Sequence, residues 1–148
     1  MKYILLLNRF WLNITSFIAP KYCANLAVNI FSKVRINSIR DKEKPFYAQA
    51  REFKVARAGE DLSCYELGNP KGKLLFLVHG WESNPGCFTQ FLPHLANYRI
   101  IAFTLPSHAH NKETHTNMYE GKDAFKLVLD AIKPTEPFHV VAHSLGSS

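Results

Sequence analysis

Phe138-His139-Val140-Val141-Ala142-His143-Ser144-Leu145-Gly146 begins as an apolar strand and ends as a turn built on small residues. Phe138 and the β-branched pair Val140-Val141 favour extended backbone. Ala142-x-Ser144-x-Gly146 then sets a serine between two small residues, each two positions away. Where a strand bends sharply into a helix, the residue at the bend is strained and the flanking segments close on each other. Positions two before and two after it then have no room for large side chains. Ser144 is the candidate nucleophile, and Ala142 and Gly146 are the residues whose size allows the bend.

Upstream, the turn cluster Gly68-Asn69-Pro70-Lys71-Gly72 precedes Leu74-Leu75-Phe76-Leu77-Val78, a continuous apolar run. Such a run, bounded by turn signals, predicts a strand buried on both faces. It leads into His79-Gly80-Trp81. Acyl transfer needs two backbone N–H groups converging on the oxyanion that develops in the transition state. One is expected from Leu145, the residue after the serine. The other is expected from Trp81, in a loop that Gly80 lets turn tightly. His79 is expected as a structural histidine at the strand end and not as the catalytic base.

The remaining pattern alternates strand and helix. Phe53-Lys54-Val55, a turn at 58–61 and Leu62 to Leu67 predict a hairpin. Phe88, Phe91, Leu92 and Leu95 mark a short helix, and Arg99 to Phe103 a strand. Met118, Phe125, Val128, Leu129 and Ile132 mark a longer helix stopped by Pro134. A hairpin followed by β-α-β-α-β predicts an α/β fold with a parallel sheet and crossover helices.

Taken together, Leu77-Val78-His79-Gly80-Trp81, the strand leading to Leu105-Pro106-Ser107-His108-Ala109, and Ala142 to Gly146 resemble the α/β-hydrolase fold, in particular bacterial esterase- and lysophospholipase-like members. The resemblance covers residues 60–148. It implies a mostly parallel sheet of eight strands and a Ser nucleophile, an acid and a His base in that chain order. Ser144 matches the nucleophile, and Trp81 and Leu145 the oxyanion donors. The family's Asp-x-Pro-Gly-His-Gly loop is altered: Thr104 stands for the Asp, and Ser107 and Ala109 for the glycines. No counterpart of the acid or of the His base follows Ser144, so the chain reads as a truncated serine hydrolase for carboxylic esters, inactive or nearly so alone. Alternatives are a non-catalytic interaction or membrane-surface module, or one half of a split hydrolase whose acid and His arrive on a second chain. His108, His110 and His115 lack the nearby acids or thiols of a metal site, so neither a metal nor an organic cofactor is expected.

The N-terminal part is different in character. Residues 1–57 hold eleven Lys and Arg against three Asp and Glu, and residues 58–148 hold seven against nine. The basicity lies in the N-terminal part, with no nucleic-acid-binding motif to go with it. Arg9 interrupts the first apolar run, and the stretch is too short to span a membrane. Tyr3, Leu7, Phe10, Ile14 and Phe17 instead follow one face of an amphipathic helix. Pro20 ends or kinks it, and Cys23, Ala27, Ile30 and Val34 mark a second helix. Residues 1–40 are therefore expected as a basic helical arm, 41–50 as a linker and 51–148 as the hydrolase domain. The arm suits packing on the body or a partner, or peripheral contact with the inner membrane surface. Cys23, Cys64 and Cys87 have neither metal-ligand spacing nor an even count. They read as buried thiols of a cytoplasmic protein.

Overall fold

The computed structural model describes residues 2–35, 38–109 and 111–147. It divides into two compact units, Met1–Lys33 and Val34–Ser148. The first is a pair of helices packed on each other, α1 (Lys2–Ile18) and α2 (Pro20–Ser32). They are separated at Ala19, whose backbone leaves the helical region, and Pro20 opens α2 where its missing N–H costs no hydrogen bond. The second helix ends two residues before Val34, which the periodicity had assigned to its face. Lys33 turns to extended backbone, and Val34 is buried in the second unit.

Residues 41–50 are not a linker. Asp41–Glu43 forms a 3₁₀ turn and Lys44–Gln49 a short helix, α3, with Phe46 and Glu43 buried. The charged Asp-Lys-Glu-Lys run suggested solvent, but Arg40 and Asn84 satisfy the Glu43 carboxylate inside the fold.

The second unit is built on a five-stranded sheet of order β1-β2-β4-β3-β5. β1 (Arg51–Val55) and β2 (Leu62–Gly68) form the expected antiparallel hairpin. β3 (Leu74–Val78) lies parallel to both β4 (Arg99–Phe103) and β5 (His139–Ala142). The run Leu74–Val78 is apolar throughout because each face of the sheet is covered. Phe76 and Val78 join Ile101, Phe103, Leu62 and Cys64 under helix α4 (Met118–Ile132), where Ala124 and Val128 are fully buried. Leu75 and Leu77 join Ile100, Ala102, Phe46, Phe88 and Leu92 on the other face.

Pro85–His94 is a 3₁₀ helix, capped by the Asn84 side chain on Gly86 N–H. It buries Phe88 and Leu92 but leaves Phe91 58% exposed. The α-helical spacing had placed Phe91 inward. Met118 likewise begins α4 exposed. Cys64 alone among the cysteines is fully buried, Cys23 and Cys87 being half-buried, and all three are free thiols. Among the described residues no helix is long and apolar enough to cross a membrane.

Candidate active site

The site forms where β3 and β5 end side by side. Val78 pairs with Ala142, and the His143 N–H donates to the Val78 carbonyl at 2.9 Å. Immediately beyond, Ser144 has φ +55, a left-handed conformation that costs a residue with a Cβ on the order of 1–3 kcal/mol. A single-turn 3₁₀ helix, Ser144–Ser147, starts at that residue. Ser144 is exposed.

Two glycines make the bend possible. A Cβ on Gly146 would stand 2.6 Å from the His79 carbonyl oxygen and 2.7 Å from that of Val78. A Cβ on Gly80 would stand 2.9 Å from both the His143 carbonyl oxygen and the Ser144 Cβ. These are backbone approaches that no side-chain adjustment relieves. The loop after β3 and the bend after β5 are thus in direct contact, with Gly80 against Ser144. Ala142 is half-buried and packs against the α4 side of the core. Leu145 lies in the first turn of the terminal 3₁₀ helix, where N–H groups have no partner within the helix.

Two histidines hold the loop carrying Trp81. His79 is wholly buried; its Nε2 accepts the Leu105 N–H at 3.0 Å, and its Nδ1 lies 2.8 Å from the Gly80 carbonyl. His108 repeats the pattern. Its Nε2 accepts the Glu82 N–H at 3.1 Å, and its Nδ1 lies 2.8 Å from the Pro106 carbonyl. Each ring is therefore a neutral Nδ1–H tautomer, with both nitrogens engaged. Burial pushes the His79 pKa down to about 3, helped by the neighbouring His108. Burial also lowers that of His108. The rings meet edge to face, 5.2 Å between centroids, and Trp81 stands edge-on to His108 at 5.3 Å.

The loop after β4 keeps the shape that glycines would give. Ser107 has φ +63 and Ala109 φ +52, both left-handed. The Ser107 hydroxyl donates to the His115 carbonyl at 2.7 Å. Thr104 is buried, and its Oγ1 has no hydrogen-bond partner among the described residues. His115 Nδ1 lies 2.9 Å from the Thr114 hydroxyl, and His110 lies outside the described residues.

A cavity of about 90 Å³ opens beside the bend. Trp81, Leu105, Met118, Phe125, Leu145 and Gly146 are among the residues lining it, and the wall is mainly apolar. It can take a small apolar group next to the expected oxyanion donors. Ser144 itself is not part of that wall.

A second polar cluster, which the sequence reading missed, supports the same loop from behind. Glu43 accepts from the Arg40 N–H at 2.9 Å, from Arg40 Nε at 2.7 Å and from Asn84 Nδ2 at 2.9 Å. The Tyr47 hydroxyl donates to Asn84 Oδ1 at 2.8 Å. Burial raises the Glu43 pKa, but the hydrogen bonds from Asn84 and Arg40 outweigh it and hold the carboxyl below its ordinary range. The available signal was Asn84-Pro85, a helix-start pattern needing a partner upstream.

The chain matches the Alpha/beta hydrolase family over residues 75–148, half of its length. The strand order and the bend lie within a fold shared with solved members, and the chain belongs to that family. "Probable oxidoreductase EphD" of Mycobacterium tuberculosis is 31% identical over 94 residues, covering 60% of this chain and 16% of that protein. "Serine hydrolase-like protein" of Danio rerio is 24% identical over 104 residues, covering 67% of this chain and 32% of that protein. The crystal structure of a membrane phospholipase A, described as a bacterial virulence factor, superposes with a TM-score of 0.58 at 20% identity. It covers 99% of this chain and 45% of the other. The chain thus spans about a sixth to a third of the curated relatives it matches.

Proposed function

We propose that this chain carries the nucleophile and oxyanion portion of a serine hydrolase acting on carboxylic esters. Ser144 attacks the acyl carbon, and the N–H groups of Trp81 and Leu145 receive the developing oxyanion. The observation that carries this reading is the left-handed φ of Ser144 at a strand-to-helix bend, with Gly80 pressed against it. A residue held there at a conformational cost fits a catalytic serine better than an ordinary turn residue. The name of the zebrafish relative, a serine hydrolase-like protein, agrees with it.

Neither of the two buried histidines can serve as the base, because both nitrogens of each ring are engaged. An acid and a base following the nucleophile, in the family's order, are needed to activate Ser144. The chain alone is expected to react about 10³-fold or more slowly than a complete triad. Labelling with a fluorophosphonate probe, read by intact mass, tests this. Slow labelling that vanishes in Ser144→Ala is the expected result. Labelling that survives in Ser144→Ala overturns the nucleophile assignment, and rapid labelling of the chain alone overturns the dependence on a base that follows Ser144.

A further inference from the structure

The helical unit presents an apolar stripe that its own two helices leave uncovered. In α1, Phe10, Trp11, Ile14, Phe17 and Ile18 recur at i, i+1, i+4, i+7 and i+8. At 100° per residue these positions fall within an arc of roughly 120°. They are between 38% and 89% exposed, Phe17 the most. Arg9 and Ser16 lie on the opposite side of the same helix, beside Leu12, which is 47% exposed. α2 adds no fully buried residue and leaves Tyr22, Val28 and Phe31 exposed.

Charge decides among the occupants such a stripe could take. Residues 1–33 hold four Lys and Arg and no Asp or Glu. A second copy of this unit would bring two cationic surfaces together. An anionic lipid surface offers opposite charge, a boundary layer suited to Trp and Phe, and an apolar interior for Ile and Phe side chains. No helix among the described residues is long and apolar enough to cross a bilayer, so the element would lie in the interface plane. We propose that α1, through the Phe10–Ile18 stripe, docks on the surface of an anionic bilayer. This stands apart from the Ser144 reading, since vesicle binding and serine labelling are separate measurements.

The test uses the full 148-residue chain and vesicles of equimolar phosphatidylcholine and phosphatidylglycerol, with pure phosphatidylcholine as control. Flotation is expected on the anionic vesicles at low salt, and much less at high salt or on the neutral ones. Phe17→Ser with Ile18→Ser should lower binding by about tenfold or more, with circular dichroism showing the helices retained. The chain has two tryptophans, so Trp81→Phe leaves Trp11 as the only indole. Its emission should shift to the blue on adding anionic vesicles. The proposal is overturned if the unaltered chain fails to float with anionic vesicles at low salt, or if the double variant floats as well as the unaltered chain. It is also overturned if light scattering shows a dimer whose Trp11 emission is already blue and unmoved by lipid, which assigns the stripe to a second copy.

Discussion

Gly146 and Gly121 show how much the surroundings of one hydrogen atom decide. A methyl group at Gly146 meets two carbonyl oxygens of β3 and its loop, whereas at Gly121, inside α4, the nearest atom is Leu105 Cδ2 at 3.7 Å. Gly146→Ala is therefore expected to destabilise by about 2–3 kcal/mol. Gly121→Ala should stabilise by about 0.5–1 kcal/mol, through the helix propensity of alanine. Urea unfolding of both variants checks the pair. His79 gives the residue scale its pH dependence. Its folded pKa, about 3, lies below the ordinary value of 6.5, so the unfolded chain binds the proton more readily. The associated stability is complete above about pH 6.5 and is lost as the pH falls towards 3. From His79 alone the loss at pH 5 is about 2 kcal/mol. Urea midpoints flat from pH 7 to 5 would contradict this. The need for small residues around Ser144 was legible in the sequence because steric exclusion acts over a few positions. The left-handed backbone at Ser107 and Ala109 was legible only through the family's loop, whose glycines they replace; their own side chains give no sign of it.

Helix α4 is the element whose ends are most open to test. Asn117 caps its N-terminus, its side chain accepting the Glu120 N–H at 3.1 Å. Lys133 closes the other end in left-handed backbone, φ 49 and ψ 59, and is exposed. Asn117→Ala should cost about 1 kcal/mol by orphaning an end N–H. Lys133→Gly should add about 1 kcal/mol by removing the Cβ penalty at the cap. Thermal melts of the two variants should move in opposite directions. The strands were readable as elements because an apolar run bounded by turns has one economical burial, inside a covered sheet. The helix after β3 was readable as helical, but its inward face was not. Which of its apolar residues pack inward was set by contact with the sheet and α3, where Phe88 and Leu92 are buried and Phe91 is not.

At the scale of the molecule, the largest departure from the sequence reading is residues 41–49, which belong to the folded body. Phe46 lies in the core, meeting Tyr47 and Tyr65 edge to face. Glu43 ties this segment to Asn84 in the loop behind the candidate site. Glu43→Ala should destabilise by about 2–3 kcal/mol, leaving Asn84 and the Arg40 N–H without their acceptor. Because the folded-state pKa of Glu43 is lowered, its contribution is present above about pH 4.5 and is lost as the pH falls through the folded value. In Glu43→Ala the acid limb of a pH–stability curve should therefore be shallower, as stability titrations of both proteins would show.

The amino-acid sequence determined what depends on neighbours along the chain. It carried the strand and helix order, the bend at Ser144, the glycines that permit it and the amphipathic stripe of α1. These follow from backbone sterics and hydrophobic period, which are local. Tertiary structure decided the rest. It paired β3 with both β4 and β5, set Gly80 against Ser144, and fixed both histidine tautomers through distant N–H groups. It also drew a charged segment into the core. Each of these depends on partners remote in sequence, and whether a buried polar group is tolerated is settled only when its hydrogen-bond partners come together.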